Sequence, residues 1–549
     1  MAAEKTPAAR TKKAGSVKNQ PAKRAPAKPA AVKAPSRVAS VANKDESSSK
    51  KAVAKPKASM SALKPAPKAA AQPASPPSAA RPTTPSATDR AGLSEREAIR
   101  VFALASDHHR NGRLDDAIRG YTRALTLNPN IPDIYNNIGV ALRSQGKLEA
   151  AIACYQRALA IKPDNAGVFS NLGNALRELG RLEAAAASMQ RALRIDPKST
   201  ESLYNLGLVL RDMGEAEKAM SCFEAVLKAK PDHAECHFDR ALLLLQSGDY
   251  ARGFAEYEWR WKLRRSPPRG FKQPIWNGKP FPGKTILLHQ EQGFGDVIQF
   301  ARYATLVKKL GGTVVLECQP ELARLMATID GVDKVVMRGA PLPPFDLYAP
   351  MLTLPKIMGT TIKTVPARVP YVKPPELHNL QLPVGQRSVL KVGIAWAGKS
   401  SHRNDRNRSA TLPQFMDFMG LPGIVFYSLQ KGDVVADLRK YAADPLIYDV
   451  GRHVEDFADT AAVINQLDLV ITVDTSVAHL AGALGRPVWV LLPHVCDWRW
   501  PATGDRTPWY PTMRLYRQPA RGAWDQVFSK VRQDLREALV ARAKGQTRT

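Results

Sequence analysis

A pattern with a period of 34 residues, between residues 93 and 265, is the strongest constraint on the fold of this 549-residue chain. A glycine between two amphipathic stretches indicates a turn between two helices, and a following proline ends the second helix. One such helix pair cannot bury its apolar face alone, so we expect about five pairs to stack into an all-α solenoid with a concave groove. The positions that recur are Gly112, Gly146, Gly180, Gly214 and Gly248, and Pro129, Pro163, Pro197 and Pro231.

The repeated units are near copies of one another, as in NGRLDDAIRGYTRALTLNP, QGKLEAAIACYQRALAIKP and LGRLEAAAASMQRALRIDP. In period and pattern they resemble the tetratricopeptide (TPR) repeat. Small side chains that would let the two helices of a unit approach recur at Ala117, Ala151, Ala185 and Ala219. The fifth unit, from about Asp232, departs from the pattern in YEWRWKL.

Asparagine recurs on the first helix of three units, at Asn137, Asn171 and Asn205. An amide both donates and accepts hydrogen bonds, so a row of amides can hold an extended protein chain without reading its sequence. In this respect the array resembles that of the O-GlcNAc transferases, which implies a protein acceptor or partner in the groove. The alternative is that these amides bond neighbouring repeats. The outer repeats carry Ala103 and Asp239 instead, so any groove is about three repeats deep.

Residues 1–92 differ from the rest in composition. They hold 19 Lys and Arg against four Asp and Glu, and therefore half of the net charge of +30, and they contain no aromatic residue. Such a segment cannot offset its ordering entropy by apolar burial, so we expect a disordered basic tail. Its charge would attract anionic surfaces, nucleic acid or membrane, without specificity. The alternative is a purely solubilising extension.

The five cysteines are widely spaced and form no C-x-x-C pair, which indicates a reducing compartment without a disulfide framework. The N-terminus has no apolar core of a signal peptide, and no run of about 18 apolar residues predicts a transmembrane segment. We therefore expect a cytoplasmic protein, with the inner membrane as one surface that the tail could contact.

The last part of the chain predicts an α/β fold. Residues 266–283 are rich in Pro and Gly and are predicted to be a linker. Beyond them, short apolar runs alternate with amphipathic stretches, which predicts parallel sheets built from βα units. The runs form two groups, so we expect two facing Rossmann-like halves, residues 284–387 and 388–549, with a cleft between them.

The first half opens with ILLHQEQGFGDVIQF, a strand, a loop and a helix. Gly293 and Gly295 would let the backbone come close to a ligand, and Asp296 falls in the first turn of the helix. The alternative for Asp296 is ordinary stabilisation of a helix N-terminus by an acidic side chain.

The second half contains LVITVDTSVAHLAGALGRPVWVLL, in which a strand leads into Asp474, Thr475 and Ser476 and a helix that carries His479. Helix-start amides and hydroxyls can bind a diphosphate. Together with the Gly295-Asp296-Val297 motif, this segment resembles the heptosyltransferase-type glycosyltransferases of the GT-B fold. The resemblance covers roughly residues 284–535, and QEQGFGD departs from the small Ser or Thr that usually precedes that motif. It implies that the second segment binds the nucleotide diphosphate of the donor and that Asp296 is the catalytic base.

A basic loop follows the first strand of the second half and contains Lys399, His402, Arg403, Arg406 and Arg408. Arginine suits bidentate contacts with oxygen. By position before ATLPQF, Arg408 matches the basic residue that stabilises the leaving phosphate in that family, where Lys is usual; the alternative is a solvated loop. Gln430 ends a strand near the same cleft and could contact the base or ribose, and Asp459 is a helix-capping candidate.

These features predict a disordered tail, an all-α TPR solenoid and an α/β GT-B domain of two Rossmann-like halves. The resemblance to the heptosyltransferase type implies that the protein is a glycosyltransferase. The substrate would be a nucleotide-sugar, and no cofactor is expected. The chain has no D-x-D motif of the kind that holds a metal ion on the diphosphate, so no metal is expected. The acceptor would be a protein hydroxyl. The alternatives are a surface-glycan assembly enzyme and a TPR scaffold with an inactive glycosyltransferase-like domain.

Overall fold

The structure, a computed structural model, describes residues 87–264, 267–375, 381–382, 389–401 and 404–544, with side chains from Ser94 onward. The predicted disordered tail therefore lies almost wholly outside the described residues. His402 and Arg403 of the predicted basic loop also lie outside them.

Ten helices form five antiparallel pairs in the repeat region. The glycine between the helices of each pair has a φ of 74° to 87°, a left-handed conformation that only glycine adopts freely. This explains why glycine recurs at the turn. The helices are α1 (Ala87–Arg110), α2 (Leu114–Leu127), α3 (Pro132–Ser144), α4 (Leu148–Ile161), α5 (Ala166–Glu178), α6 (Leu182–Ile195), α7 (Thr200–Met213), α8 (Ala216–Ala229), α9 (Ala234–Gln246) and α10 (Tyr250–Tyr257).

The first helices of successive pairs contact each other, α3 with α5, α5 with α7 and α7 with α9. They therefore form one continuous surface of the array. A row of ion pairs crosses it from repeat to repeat, joining Arg143 to Glu178 (3.3 Å), Arg177 to Asp212 (2.6 Å) and Arg211 to Asp239 (2.6 Å). Each of these three arginines is thus paired with an acidic residue of the next repeat.

The first α/β half is built on a four-stranded parallel sheet of order β3-β2-β1-β4. The strand order reverses beside β1, and polar ligands bind α/β sheets at such a switch point, outside the carboxyl ends of the strands. The loop after β1 leads directly into α11. The elements are β1 (Thr285–His289), α11 (Phe294–Ala301), α12 (Ala304–Lys308), β2 (Thr313–Cys318), α13 (Ala323–Met326), β3 (Lys334–Met337), β4 (Leu347–Pro350) and α14 (Leu354–Ile357).

The second half contains a six-stranded parallel sheet of order β10-β9-β8-β5-β6-β7. Its switch point lies between β5 and β8. The predicted strands are present, and the sheet gains β7 and β10 at its edges. The elements are β5 (Leu390–Ala395), α15 (Asp405–Arg408), α16 (Leu412–Met416), β6 (Ile424–Ser428), α17 (Asp437–Lys440), β7 (Ile447–Asp449), α18 (Phe457–Asn465), β8 (Leu469–Val473), α19 (Ser476–Ala483), β9 (Val488–Leu492), β10 (Met513–Arg517) and α20 (Trp524–Ala543).

The fifth repeat shares a hydrophobic core with the α/β region. Tyr250 and Phe254 of α10 are buried against Trp498 and Trp509, which follow β9 in the second half. The described residues from 87 onward accordingly belong to one compact unit. The all-α solenoid followed by two parallel sheets confirms the fold class expected from the sequence.

The segment predicted as a linker, residues 266–283, is packed where the structure describes it. Ile275 pairs with Tyr348 of β4 in an isolated parallel bridge, and Trp276 and Phe281 are buried in the core. Trp276 Nε1 donates to the Lys279 carbonyl at 2.8 Å. These residues extend the edge of the first sheet. Within the described ranges, no helix has the length and apolar character needed to cross a membrane.

Candidate functional site

Two loops meet at the switch point of the second sheet. The loop after β5 carries Arg408, and β8 runs directly into α19 through Asp474 and Thr475. Arg408 Nη1 donates to the Asp474 carbonyl at 3.1 Å, which places the guanidinium beside the N-terminus of α19. The Thr475 hydroxyl bonds Thr472 Oγ1 at 3.0 Å and does not cap the helix. A cation and a helix N-terminus thus converge on one partly exposed spot, a combination suited to an anion.

The rest of the basic loop is spread out. Lys399 is exposed to solvent. Arg406 points toward the repeat array, where its Nη2 donates to the Glu178 carbonyl at 3.4 Å. Asp405 lies 3.5 Å from Arg408 Nε and orients that guanidinium. Of the three described cations in this loop, Arg408 contacts the start of α19, whereas Lys399 is exposed and Arg406 contacts the repeat array.

Gln430, predicted to contact the base or ribose of a donor, is buried and bonded to the backbone. Its Oε1 accepts from the amides of Trp396 and Ala397, both at 3.0 Å. Its Nε2 donates to the carbonyls of Ala397 and Lys431, also at 3.0 Å. These bonds fix the loop after β5, so the side chain supports the shape of the site from beneath.

Asp296 is the third residue of α11 and faces the second half. Its Oδ2 accepts from the Gly293 amide at 2.8 Å, which closes the first turn of the helix. Its Oδ1 is paired with Arg499, which follows β9. The Asp296 side chain is 15% exposed and that of Arg499 10% exposed, so the pair is largely shielded from water. The alternative left open for Asp296, stabilisation of a helix N-terminus, is thus present together with an ion pair across the two halves.

Arg499 is a site residue that the sequence reasoning missed. Besides Asp296, it donates to Gln299 Oε1 at 2.9 Å and to Asp497 Oδ1 at 2.7 Å. Asp497 in turn influences Asp474: burial, and then the charge of Asp497, raises the pKa of Asp474 to about 6. Four side chains therefore form one electrostatic cluster: Asp296, Arg499, Asp497 and Asp474. The available signal was a charged pair set among tryptophans in CDWRW, just after a buried strand.

His479 and Gly295 form the contact between the two helices that border the site. A Cβ atom on Gly295 would lie 2.8 Å from His479 Cδ2, so α11 and α19 approach closely here. The His479 ring is buried, bonds Tyr510 Oη at 3.0 Å through Nδ1, and stacks on Trp500. Burial, and then the charge of Arg499, holds the pKa of His479 well below its ordinary value. The His479 ring is thus uncharged and fills the interface between α11 and α19, where it packs against Gly295.

Asp459 joins the two halves at a second point. Asp456 caps α18, accepting from the amides of Ala458 (2.8 Å) and Asp459 (3.0 Å), and Asp459 Oδ2 accepts from the Glu455 amide at 2.9 Å. Arg324 of α13 donates to Asp459 Oδ1 at 3.0 Å. The capping candidate therefore also anchors the first half to the second.

The asparagines of the array bond successive repeats. Asn171 Nδ2 donates to Asn136 Oδ1 at 2.9 Å, and Asn205 Nδ2 donates to Ser170 Oγ at 3.3 Å. Asn137 accepts from its neighbour Asn136 at 3.4 Å. Asn205 is buried, whereas Asn137 and Asn171 are half-buried. The alternative that these amides bond neighbouring repeats is therefore present for Asn171 and Asn205. The side chains of Asn137 and Asn171 remain partly exposed on the surface of the array.

Among the described residues, no group of three or more His, Cys, Asp or Glu side chains is arranged to hold a metal ion. The charged groups of the site are instead two arginines, Arg408 and Arg499, and four aspartates, Asp296, Asp405, Asp474 and Asp497.

Known families match two parts of this chain. Residues 455–507 match glycosyltransferase family 9 (heptosyltransferase). A TPR repeat family matches residues 106–143, 139–176 and 173–214. A second family, described as tetratricopeptide repeat, matches residues 204–267. The chain thus joins TPR repeats to a segment that matches glycosyltransferase family 9. This supports the resemblance drawn from the sequence.

The family 9 segment covers only the core of the site. It runs from α18 through β8, α19 and β9, so it contains Thr475, Ser476 and Arg499. Arg408 and Asp296 lie outside it and are connected to it by the contacts described above.

One curated relative is Protein FlbA of Caulobacter vibrioides (strain ATCC 19089 / CIP 103742 / CB 15), 26% identical over 313 residues. The match covers 52% of this chain and spans about half of the relative, 52% of its length. Two solved TPR proteins resemble the array. TTC0263, a thermophilic TPR protein of Thermus thermophilus, is 23% identical, with a TM-score of 0.28, and covers 31% of this chain and 93% of its own. YrrB, a TPR protein with an unusual peptide-binding site, is 21% identical, with a TM-score of 0.27, and covers 32% and 92%.

Proposed function

We propose that this protein transfers a sugar from a nucleotide-sugar to a hydroxyl group of a protein acceptor, without a metal ion. The observation that carries the proposal is the meeting of two helix N-termini across the two halves: α11 with Asp296 and α19 with Arg408 beside it, joined by Arg499. One side supplies a carboxylate, and the other supplies the positive groups that a diphosphate requires.

The donor diphosphate binds at the start of α19. Ser476 begins this helix, and its first-turn amides and the guanidinium of Arg408 face the same spot. Thr475 and Ser476 are half-buried, so part of their surface is open to solvent. A helix N-terminus and an arginine stabilise negative charge on phosphate oxygens, which is the task that a metal ion performs in other transferases.

Asp296 takes the proton of the attacking hydroxyl. Each of its oxygens has one hydrogen-bond partner, Arg499 or the Gly293 amide, and retains a further lone pair for the acceptor. The acceptor oxygen forms a bond to the anomeric carbon of the sugar as the bond to the phosphate oxygen breaks. The electron pair leaves with the nucleoside diphosphate, whose charge Arg408 and the helix amides stabilise.

The repeat array presents the acceptor. Two of its turns lie against the second half: Gly180 packs beside Arg406 of the donor loop, and Gly214 packs beside His494 and Val495, which follow β9. The surface formed by the first helices of the repeats therefore begins next to the donor site. TPR repeats generally mediate protein–protein interactions, which favours a protein acceptor over a free glycan.

The first test is a calorimetric titration of the full-length protein, without added metal, with UDP, GDP, ADP, CMP and dTDP. One of them is expected to bind, and Arg408→Ala is expected to weaken binding by roughly ten- to a hundredfold, because a hydrogen bond to a charged group is lost. Arg406→Ala removes the same charge from the same loop and is the matched control, with nearly unchanged affinity. Binding of none of the five would support an inactive scaffold.

The second test follows radiolabelled sugar from the matching nucleotide-sugar into protein from the source cells. Asp296→Asn is expected to abolish transfer and to leave nucleotide binding intact, since the amide cannot take the proton. Full transfer by this variant contradicts the assignment of the base. Label that appears in glycan and not in protein would identify a glycan-assembly enzyme.

A further inference from the structure

The loop between β1 and α11 is held by the last repeat of the array. This loop contains Glu291 and Gln292, the residues at which the sequence departs from the small side chains usual before the G-D motif. Both side chains bond residues at the end of the fifth repeat. The loop ends at Gly293, whose amide hydrogen-bonds Asp296.

Glu291 is bound by Arg260, a residue of the short 3-10 helix Glu258–Lys262 that follows α10. Arg260 Nε lies 2.8 Å from Glu291 Oε2, and its Nη2 lies 3.3 Å from Glu291 Oε1. The Arg260 side chain is only 2% exposed and that of Glu291 7% exposed. A bidentate pair shielded from water has a fixed geometry, so it restrains the loop strongly.

The same arginine extends this restraint to the neighbouring loop. Arg260 Nη2 donates to Thr353 Oγ1 at 2.7 Å, and the Leu352 amide donates to Glu291 Oε1 at 3.1 Å. Residues 351–353 follow β4, the strand beside β1. Arg260 therefore fixes both loops at the switch point of the first sheet.

Tyr257, the last residue of α10, forms the second connection. Gln292 Nε2 donates to the Tyr257 hydroxyl at 3.0 Å, one residue before Gly293. The Tyr257 ring is buried against Trp498, the neighbour of Arg499. One side chain of the array thus contacts the two segments that carry Asp296 and Arg499.

We propose that Tyr257 and Arg260 are positioning residues of the transferase, which hold the Asp296 loop in register with the donor site from the end of the repeat array. The inference rests on the proposed function in that Asp296 is the base. It adds that the fifth repeat is part of the catalytic apparatus and does more than bind an acceptor. A base displaced by about 1 Å can lose a hundredfold in rate, so restraint of this loop determines turnover.

A matched pair of tyrosines on α10 separates positioning from stability. Tyr250 and Tyr257 are both 3% exposed, and each hydroxyl makes a hydrogen bond to the α/β region. Tyr250 accepts from buried Trp509 Nε1 at 3.1 Å, in the second half, whereas Tyr257 accepts from Gln292, an exposed side chain that water can satisfy. Tyr250→Phe is therefore expected to lower the Tm more, because it leaves a buried donor unpaired. Tyr257→Phe is expected to lower kcat more.

The experiment measures kcat and KM of the full-length protein with labelled nucleotide-sugar and source-cell protein. Tyr257→Phe is expected to reduce kcat about tenfold with the KM for the donor unchanged, since the donor binds the second half. Arg260→Lys, which keeps the charge and loses the bidentate geometry, is expected to reduce kcat by ten- to a hundredfold. Equal kcat losses in Tyr250→Phe and Tyr257→Phe, or wild-type kcat in both Tyr257→Phe and Arg260→Lys, would overturn the proposal.

Hydrogen exchange gives a readout that does not depend on the acceptor. In Tyr257→Phe, the amides of residues 290–297 are expected to exchange about tenfold faster, while those of β8 keep their wild-type rates. Unchanged exchange in the loop contradicts the restraint. If Asp296→Asn retains full transfer, the proposed function fails; if Asp296→Asn is inactive and Tyr257→Phe has normal kcat and exchange, only the positioning role fails.

Discussion

Replacement of Gly295 by alanine tests the contact on which the geometry of the site depends. The added Cβ would lie 2.8 Å from His479 Cδ2, whereas ordinary van der Waals contacts of Cβ begin at 3.4 Å, a shortfall of 0.6 Å. The ring cannot easily turn away, because Tyr510 and Trp500 hold it on two sides. The two helices must therefore separate by several tenths of an ångström.

The expected cost is the difference between two effects. Overpacking of a well-packed interface costs about 1–3 kcal/mol, and alanine in a helix gains up to about 1 kcal/mol over glycine. We therefore expect Gly295→Ala to lower the free energy of unfolding by about 1–2 kcal/mol. Transfer should also fall, because the separation moves Asp296 away from the start of α19.

Gly293→Ala is the matched control in the same motif. The nearest atom to its added Cβ is Asp296 Oδ2 at 3.5 Å, an ordinary contact, so only the weaker N-cap preference of alanine counts, at below about 1 kcal/mol. Gly293 should thus tolerate replacement by alanine better than Gly295 does.

The assay is urea unfolding followed by tryptophan fluorescence, in a double-mutant cycle with His479→Ala. Removal of the ring leaves room for the methyl group, so only the helix preference remains. In that background Gly295→Ala should be neutral or stabilising by up to about 1 kcal/mol, a coupling of about 1–3 kcal/mol. An equal cost of Gly295→Ala with and without the ring would refute the steric reasoning.

Three further predictions concern single substitutions. The raised pKa of Asp474 means that the folded chain binds its proton more tightly than the unfolded chain, so its stabilising contribution is complete below the unfolded pKa of 3.8 and is lost as the pH rises through about 6. Asp474→Asn should therefore gain stability relative to the wild type by up to roughly 2 kcal/mol at about pH 8 and not at about pH 4, as measured by unfolding at both values; a gain that does not change with pH contradicts this. Asn205→Ala should cost about 1 kcal/mol of stability, because its bond to Ser170 is buried. Asn137→Ala should leave stability nearly unchanged and weaken capture of acceptor protein, and the reverse pattern would contradict the placement of these amides.

The repeat region was predictable because its determinants are local. Each glycine turn and each helix pair is specified within 34 residues, and the structure places the turns at the predicted glycines. The strands of the sheet centres were predictable for the same reason, as continuous apolar runs. The two strands absent from the prediction, β7 and β10, are edge strands. One has three residues, and the other has arginine at two of its five positions in MRLYR, so neither has the apolar run of a central strand.

The candidate site was predictable only in part. Asp296, Thr475 and Ser476 follow strands and begin helices, and that local pattern indicated them. Arg499 is 203 residues from Asp296 in the sequence, and no periodicity relates the two positions. The contacts of Arg260 and Tyr257 with Glu291 and Gln292 are likewise long-range. Residues that connect the repeats to the sheets cannot be recognised from their sequence neighbours, because neither the helical repeat nor the strand pattern specifies a contact between the two.

The shared core of the fifth repeat gives the array a direction of growth. The aromatic face of α10 is covered by tryptophans of the second half, so a unit added or removed at this end would break the core. The first pair, α1 and α2, packs mainly on α3 and can be preceded by further units without disturbance of that core. Changes in repeat number are therefore confined to the amino-terminal end, where, under the proposed function, they would alter how much of an acceptor protein is covered. The distance from the last repeat to Asp296 stays constant, so reach and chemistry can evolve, or be engineered, independently.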